Sequence, residues 1–293
     1  MLSTSSLASI SHPDGWRTSR GLSPQTAGAA GQSRMRGSGD YRRRRQSDIL
    51  PPDTSHRITT MVSVLKKAGR AALDMLFPPR CVGCGSFEAF LCRRCGEGLP
   101  PATPPRCAVC WRPYKGSGLC PKCRRQRPAF TGLRSPYVFR DTVRELVHAL
   151  KYDHQAALAT PAASLLSRYL EEENIGADIL IPVPLYPRRE RARGYNQSAL
   201  LARGLGRLAG LPVEERALMR ERNTPSQAER ASAEERRLNV EGAFRYRGEG
   251  LSGQRVLLID DVATTGATLD ACARVLREGG AASVWALTFA RED

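Results

Sequence analysis

The sequence predicts an α/β fold with a central, mostly parallel sheet flanked by helices, preceded by a small cysteine-rich module that metal ions hold together. Three observations predict it. Residues 256–259 are consecutive apolar residues without polar alternation, typical of a strand buried on both faces of a parallel sheet. A helical pattern over residues 267–278 follows directly. Upstream, four Cys-x-x-Cys pairs lie between residues 81 and 123.

The strand at residues 256–259 leads into two carboxylates and then a turn rich in hydroxyl groups. Ionised carboxylates only accept hydrogen bonds, so Asp260 and Asp261 suit the two hydroxyl donors of a ribose. A turn at a helix N-terminus suits a phosphate, because unpaired amides and the positive end of the helix dipole meet there. Together the two halves predict a site for a ribose 5-phosphate. The residues of the turn are Thr264, Thr265, Gly266, Ala267 and Thr268.

Two other interpretations of this stretch are open. The acids can be a solvated strand end, with Thr264 or Thr265 capping the helix. Adjacent acids after a strand can also hold Mg²⁺. The apolar strand before the acids and the Thr-Thr-Gly-x-Thr turn after them favour the phosphoribosyl interpretation.

A second anion site is predicted downstream of another buried strand. Residues 178–185 read as that strand, and residues 188–197 form a segment that we expect to be a loop, dense in arginine and including Arg193. Asn196 is the expected N-cap of a helix that runs to about Ala209. An arginine run is usually a solvated face, but opposite a ribose-phosphate site it is suited to hold a diphosphate.

Eight of the nine cysteines are expected to bind two structural zinc ions. Each Cys-x-x-Cys pair places two thiolates on one turn, and two such turns complete a tetrahedral zinc shell. The separations favour two sequential sites, although a crossed pairing stays open at this point. Disulfides would require an oxidising compartment, and a redox motif is not normally repeated four times. The predicted ligands are Cys81, Cys84, Cys92 and Cys95 for one site and Cys107, Cys110, Cys120 and Cys123 for the other.

The cysteine-rich module is basic and contains aromatic residues. Single-stranded DNA is a natural partner for such a surface, because bases stack on rings while cations follow phosphates. The alternative is a solubilising surface over a core that buries the same rings. The rings concerned are Phe87, Phe90, Trp111 and Tyr114.

The whole chain has a formal net charge of +16, which favours anionic partners. We expect residues 1–60, rich in Arg, Ser and Gly, to be a disordered tail. Met61 is the expected true start, and the tail also has the composition of a targeting peptide. No apolar run approaches the length of a membrane span, so the sequence predicts a soluble protein without membrane insertion. The expected location is the cytoplasm.

The expected organisation is then a short helix and linker at residues 61–79, the double zinc module at 80–128 and the α/β domain at 131–293. Within that domain, the polar residues 222–239 are expected to be disordered or to act as a lid.

Several blocks of the chain resemble known sequences. The stretch from Val256 to Leu269 resembles the 5-phosphoribosyl-1-pyrophosphate (PRPP) signature of type I phosphoribosyltransferases, with Ala263 where many members have a larger residue. Nearly everything after residue 60 resembles the ComF family. The blocks are residues 77–81, the Cys-x-x-Cys series and residues 181–185, 193–197, 222–227, 235–240 and 256–269.

The resemblance implies a double zinc ribbon joined to a type I phosphoribosyltransferase fold. It implies that Asp260 and Asp261 bind the ribose hydroxyls, that residues 264–268 surround the 5-phosphate, and that residues 222–238 form a flexible catalytic loop. Mg²⁺ is expected to accompany PRPP. The residues implied for the pyrophosphate loop are Val183, Pro184 and Leu185.

Three functions are open on this basis. The first is transfer of the phosphoribosyl group to an acceptor with release of pyrophosphate, catalysed around Asp260 and Asp261. The second is a competence factor that binds single-stranded DNA through the zinc module and works with a DNA-uptake helicase or other competence proteins. The third is a PRPP sensor without turnover.

Overall fold

A computed structural model describes residues 78–87, 89–223, 240–248 and 250–293. The described residues include none of the expected tail at residues 1–60 and none of the predicted helix before residue 78. Of the predicted lid at residues 222–239 they include residues 222 and 223. Within the described part, no helix combines the length and the apolar character that crossing a bilayer requires.

The described part contains seven strands. They are β1 (Gly132–Arg134), β2 (Tyr137–Val138), β3 (Ile179–Pro182), β4 (Leu218–Arg220), β5 (Phe244–Tyr246), β6 (Arg255–Ala263) and β7 (Ser283–Arg291).

Seven α-helices accompany them. They are α1 (Arg93–Glu97), α2 (Pro121–Arg125), α3 (Asp141–Tyr152), α4 (Ala159–Glu173), α5 (Pro187–Arg193), α6 (Gln197–Ala209) and α7 (Ala267–Glu278).

The central sheet has the order β1-β7-β6-β3, with β2 also paired to β7, and each of these pairings is parallel. The small second sheet is the antiparallel pair β4 and β5. Because β6 lies between β3 and β7, its carboxyl end is at the middle of the sheet edge where ligands bind in open α/β folds.

The two faces of β6 belong to two hydrophobic cores, as predicted for a strand buried on both sides. Leu257 and Ile259 pack on the side of α3, α4 and α6. Val256 and Leu258 pack on the side of α7, in the core that also contains the second group of four cysteines. Alternate side chains of one strand therefore join helices on one face to the cysteine-rich module on the other.

Several predicted elements differ from the structure. The arginine-rich segment predicted as a loop is helix α5, because Pro187 occupies its first turn and Gly194, at φ 83°, ends it. The apolar residues of 133–139 predict one strand, whereas the structure has two, β1 and β2, separated by Ser135 and Pro136. Residues 244–246 are predicted to begin a hairpin, and in the structure they form β5, which pairs antiparallel with the preceding strand β4.

Candidate functional site

The two acids of the motif lie inside β6, not beyond its end, since the strand continues to Ala263. Both are buried, Asp260 at 9% and Asp261 at 3% exposure. The Asp260 Oδ1 atom accepts hydrogen bonds from Ser198 Oγ at 2.8 Å and from the Asp261 N–H at 2.9 Å. Burial, reinforced by the neighbouring charge of Asp261, raises the pKa of Asp260 to about 7.

A lysine that the sequence did not indicate completes the acid pair. Lys151, in the last turn of α3, places its Nζ atom 2.6 Å from Asp261 Oδ2. Burial opposes the charged form of Lys151, but the charges of Asp261 and Asp260 outweigh it, and the pKa of Lys151 is raised. The site thus contains a cation paired with Asp261.

The N-terminus of α6 joins the acids to the predicted pyrophosphate loop. Asn196 is the N-cap, as predicted, and its Oδ1 atom accepts from the Ser198 N–H at 3.0 Å. Its Nδ2 atom donates to the Val183 carbonyl oxygen at 3.0 Å. Because Ser198 also donates to Asp260, one helix turn fixes both the loop and the acid.

The residues predicted for the diphosphate lie beside this turn. The Val183 N–H donates to the Ile259 carbonyl oxygen at 2.9 Å, and Pro184 and Leu185 follow it half-buried. The Arg193 guanidinium donates to the Gln197 side chain and lies 5.6 Å from the Tyr152 ring. Arg193 therefore contacts the same end of α3 that provides Lys151.

The turn after β6 has the predicted position but a different cap. Gly266, at φ 79°, is the N-cap of α7, and no side chain caps the helix. The Ala267 N–H instead donates to Thr265 Oγ1 at 3.3 Å. A positive φ is compatible with glycine and strained for other residues, so this backbone shape depends on Gly266. Thr264 is exposed, and Thr268 is half-buried in the first turn.

A buried arginine that was not predicted from the sequence holds the base of this turn. Arg291, at the end of β7, is 1% exposed. Its Nη1 atom donates to the carbonyl oxygens of Ala263 and Thr264. Burial lowers the pKa of Arg291.

The cysteines form two groups of four, in the sequential pairing. Within each group the sulfur atoms lie within 4.8 Å of one another. The Cys84–Cys92 and Cys110–Cys120 sulfur distances are both 3.7 Å, too long for a disulfide and close to the edge of about 3.8 Å that a tetrahedron of Zn–S bonds requires. The geometry of both groups therefore fits Zn²⁺.

The two groups differ in their surroundings. The four cysteines of the second group are all buried in a core shared with the sheet. In the first group only Cys81 is buried, and Cys84 is exposed. The Val109 carbonyl oxygen accepts from the Leu133 N–H at 2.7 Å, so the second group is joined to β1.

The rings of the module provide less stacking surface than its composition indicated. Trp111 is buried, donates from Nε1 to the Ser135 carbonyl oxygen at 2.9 Å and is covered by Arg134. Phe90 and Tyr114 are partly buried against the cores. Phe87 is 51% exposed, with Arg80 stacked 4.4 Å from its centre.

Two family models match the chain. The double zinc ribbon domain matches residues 72–124, and the phosphoribosyl transferase domain matches residues 200–292. Together with the parallel sheet and the cysteine groups, these matches identify a phosphoribosyltransferase fold preceded by a Cys-rich zinc-binding module.

Curated relatives match over most of their length. Competence protein ComFC of Bacillus subtilis (strain 168) is 32% identical over 212 residues, which are 69% of this chain and 84% of the relative. DNA utilization protein YhgH of Escherichia coli O157:H7 is 34% identical over 193 residues, covering 62% of this chain and 82% of the relative.

Among solved structures, the chain is similar to the glutamine PRPP amidotransferase from B. subtilis complexed with ADP and GMP. The identity is 22% and the TM-score 0.31, and the match covers 44% of this chain and 26% of that one.

Proposed function

The chain belongs to the ComF family, and from this premise we propose that it binds PRPP together with Mg²⁺ and transfers the phosphoribosyl group to an acceptor, releasing pyrophosphate. In this transfer a nucleophilic atom of the acceptor forms a bond to C1 of the ribose. The bond from C1 to the diphosphate oxygen breaks, and its electron pair leaves with pyrophosphate.

One observation supports the proposal above all. The buried acid pair Asp260–Asp261 lies near the end of β6, and the turn that follows this strand leads to Gly266, the N-cap of a twelve-residue helix. Carboxylates suited to a ribose diol therefore adjoin a helix N-terminus suited to a phosphate.

The acids have a binding role and an electrostatic role in the proposed transfer. Ribose hydroxyls donate to carboxylates, so the bound sugar favours the ionised form of Asp260, whose pKa of about 7 allows either form near neutral pH. Negative charge beside the ring stabilises the positive charge that develops at C1. Lys151 pairs with Asp261 and fixes the position of its carboxylate.

Positive charge is needed near the diphosphate, the leaving group of the proposed transfer. Arg193, which donates to Gln197 in the first turn of α6, would attract the diphosphate. Carboxylate and phosphate oxygens are the ligands that Mg²⁺ prefers, so the acid pair and the diphosphate suit it, and when bound it would offset charge on the leaving diphosphate.

The test is a calorimetric titration with PRPP in the presence of Mg²⁺. We expect saturable binding that is weakened tenfold or more in Asp261→Asn, because a charged acceptor for the ribose hydroxyls is lost. The matched control is Asp178→Asn, which changes an acid before β3, at the opposite edge of the sheet. Absence of binding to the unaltered protein would overturn the proposal.

Turnover is measured in the same preparations as pyrophosphate release with a pool of bases and nucleic acids. Release that depends on an added acceptor supports the transferase. Binding without release, whatever is added, would leave a PRPP sensor.

A second function is supported by the names of the relatives and by exposed charge on the module. We propose that the chain also binds single-stranded DNA, through arginines of α1 and α2 such as Arg93 and Arg124, which are exposed. Counterion release makes such binding fall steeply with salt. We expect Arg93→Gln/Arg124→Gln to weaken DNA binding and to flatten its salt dependence, and an unchanged salt slope would exclude this surface.

A further inference from the structure

A cavity of about 400 Å³ lies between the second cysteine group and the start of α7. Its volume is in the range of small-ligand pockets. Arg112, Lys122 and Arg125 line it from the cysteine-rich module. Thr265, Gly266 and Ala267, in the turn after β6, line it from the sheet domain. The turn proposed for the 5-phosphate therefore has an outer wall made by another part of the chain.

The cavity has an excess of positive charge. Among the residues that the structure describes, four cationic side chains line it, Arg291 in addition to the three of the module, against the single carboxylate of Asp270. That carboxylate is engaged, because it accepts from the Ala129 N–H at 2.6 Å and from Arg274 at 2.8 Å. A zinc ion with four thiolates adds two negative charges nearby, and the lining still favours an anion.

Lys122 connects the module to the turn directly. Its Nζ atom lies 3.5 Å from the Thr265 carbonyl oxygen. Lys122 lies between Cys120, the N-cap of α2, and Cys123, within α2. The second cysteine group therefore fixes the position of the lysine. Arg94 holds the same place between Cys92 and Cys95 in the first group, which lines no part of this cavity.

Arg291 adds an independent sign of a missing ligand. It is 1% exposed, and its Nε atom has no hydrogen-bond partner in the described part of the chain. A buried donor without a partner costs free energy, which an acceptor oxygen in the cavity would recover. A helix N-terminus, four cations and an unpartnered buried N–H thus surround the same space.

We propose that the second cysteine group builds one wall of the phosphate site, with Lys122 and Arg125 binding a ribose-linked phosphate monoester opposite residues 265–267. The phosphate belongs either to PRPP or to a nucleoside 5′-monophosphate, since both present the same dianion on a ribose. Phe130, which also lines the cavity, provides an apolar surface beside it. This inference rests on the proposed function for the identity of the sugar. It also gives the two cysteine groups different roles, because only the second one adjoins the phosphate site.

The experiment compares Lys122→Gln with Arg94→Gln. Both residues are exposed and both substitutions remove one charge from the same position of a Cys-x-x-Cys pair. Mg²⁺-PRPP, adenosine 5′-monophosphate and inorganic phosphate are titrated separately. We expect Lys122→Gln to weaken the binding of each about tenfold, because one charge-assisted contact is lost, and Arg94→Gln to leave each unchanged.

The outcomes separate this inference from the proposed function. PRPP binding that Lys122→Gln and Arg125→Gln leave intact would overturn the inference while the proposed function stands. A second outcome is that the unaltered protein binds inorganic phosphate but not PRPP, and that Lys122→Gln loses the phosphate binding. This outcome would uphold the anion site and overturn the proposed function. Tighter binding of PRPP than of the monophosphate assigns the cavity to the donor, and the reverse order assigns it to a nucleotide product.

Discussion

At the residue scale, Asp260 gives the protein an unusual pH dependence. Burial and Asp261 hold its folded pKa at about 7, whereas an unfolded aspartate has a pKa of about 3.9. The folded state binds this proton more tightly, so the contribution of Asp260 to stability is full below about pH 4 and is lost as the pH rises to 7. We expect Asp260→Asn, which cannot ionise, to gain about 1 kcal/mol per pH unit over the unaltered protein between pH 5 and 7. Urea unfolding at each pH measures the difference.

Asp178 is the control for this measurement, because its pKa is shifted the other way. Hydrogen bonds from Arg255 lower the pKa of Asp178 to about 2, so its contribution is present above the unfolded pKa and is lost only as the pH falls towards 2. The difference between Asp178→Asn and the unaltered protein should therefore stay constant from pH 5 to 7. An equally constant difference for Asp260→Asn would mean that its buried carboxyl is ionised throughout.

At the scale of elements, the two cysteine groups should differ in their effect on the sheet domain. We expect about two zinc ions per chain, and about one in either Cys84→Ser or Cys110→Ser. Because Cys110 lies in the core shared with β6 and α7, Cys110→Ser should lower the melting temperature of that domain by about 5 °C or more. Cys84 is exposed, so Cys84→Ser should leave this transition nearly unchanged.

Elemental analysis and calorimetry of the same samples check this expectation. Equal shifts of the melting temperature for the two variants would show that the groups support the domain alike. Retention of two zinc ions by either variant would show that a cysteine outside the proposed set, or a solvent ligand, completes the shell.

Elements defined by local signals were predicted well. The apolar spacing predicts helices over residues 141–152 and 267–278, and these bounds agree with α3 and α7 because each has a continuous apolar stripe. The loop prediction for the segment that forms α5 was wrong, because the charge of the segment was given more weight than the helix signals of Pro187 and Gly194. The boundaries of such short charged helices depend on single residues.

The candidate site was predictable only where it is local in sequence. Asp260, Asp261 and the turn at Gly266 follow one another along the chain and form one recognisable pattern. Ser198, 62 residues from Asp260, and Lys151, on a helix before β3, reach the acids only through the order of strands in the sheet. No local pattern encodes that order, so the partners of the acids could not be found from the sequence.

At the scale of the whole molecule, the zinc-binding module and the sheet domain are expected to unfold together, because an ion pair joins them across 187 residues of sequence. The Arg106 guanidinium binds both carboxylate oxygens of Asp293, at 2.7 and 3.0 Å, and its side chain is 4% exposed. The Asp293 side chain is 33% exposed, but without its partner the Arg106 charge stays desolvated, and this is destabilising. We expect Asp293→Asn to lower the free energy of unfolding by about 1–2 kcal/mol.

Glu97→Gln is the matched control, because Glu97 pairs with Arg93 at the same distance of 2.7 Å while both side chains are more than half exposed. Exposed pairs contribute little, so this variant should unfold within about 0.5 kcal/mol of the unaltered protein. Urea unfolding followed by tryptophan fluorescence reports on both parts of the chain, since Trp111 lies in the module and Trp285 in β7. A single transition that shifts only in Asp293→Asn is the expected result. Two separate transitions would mean that the module folds independently of the sheet and that its wall of the phosphate cavity can detach.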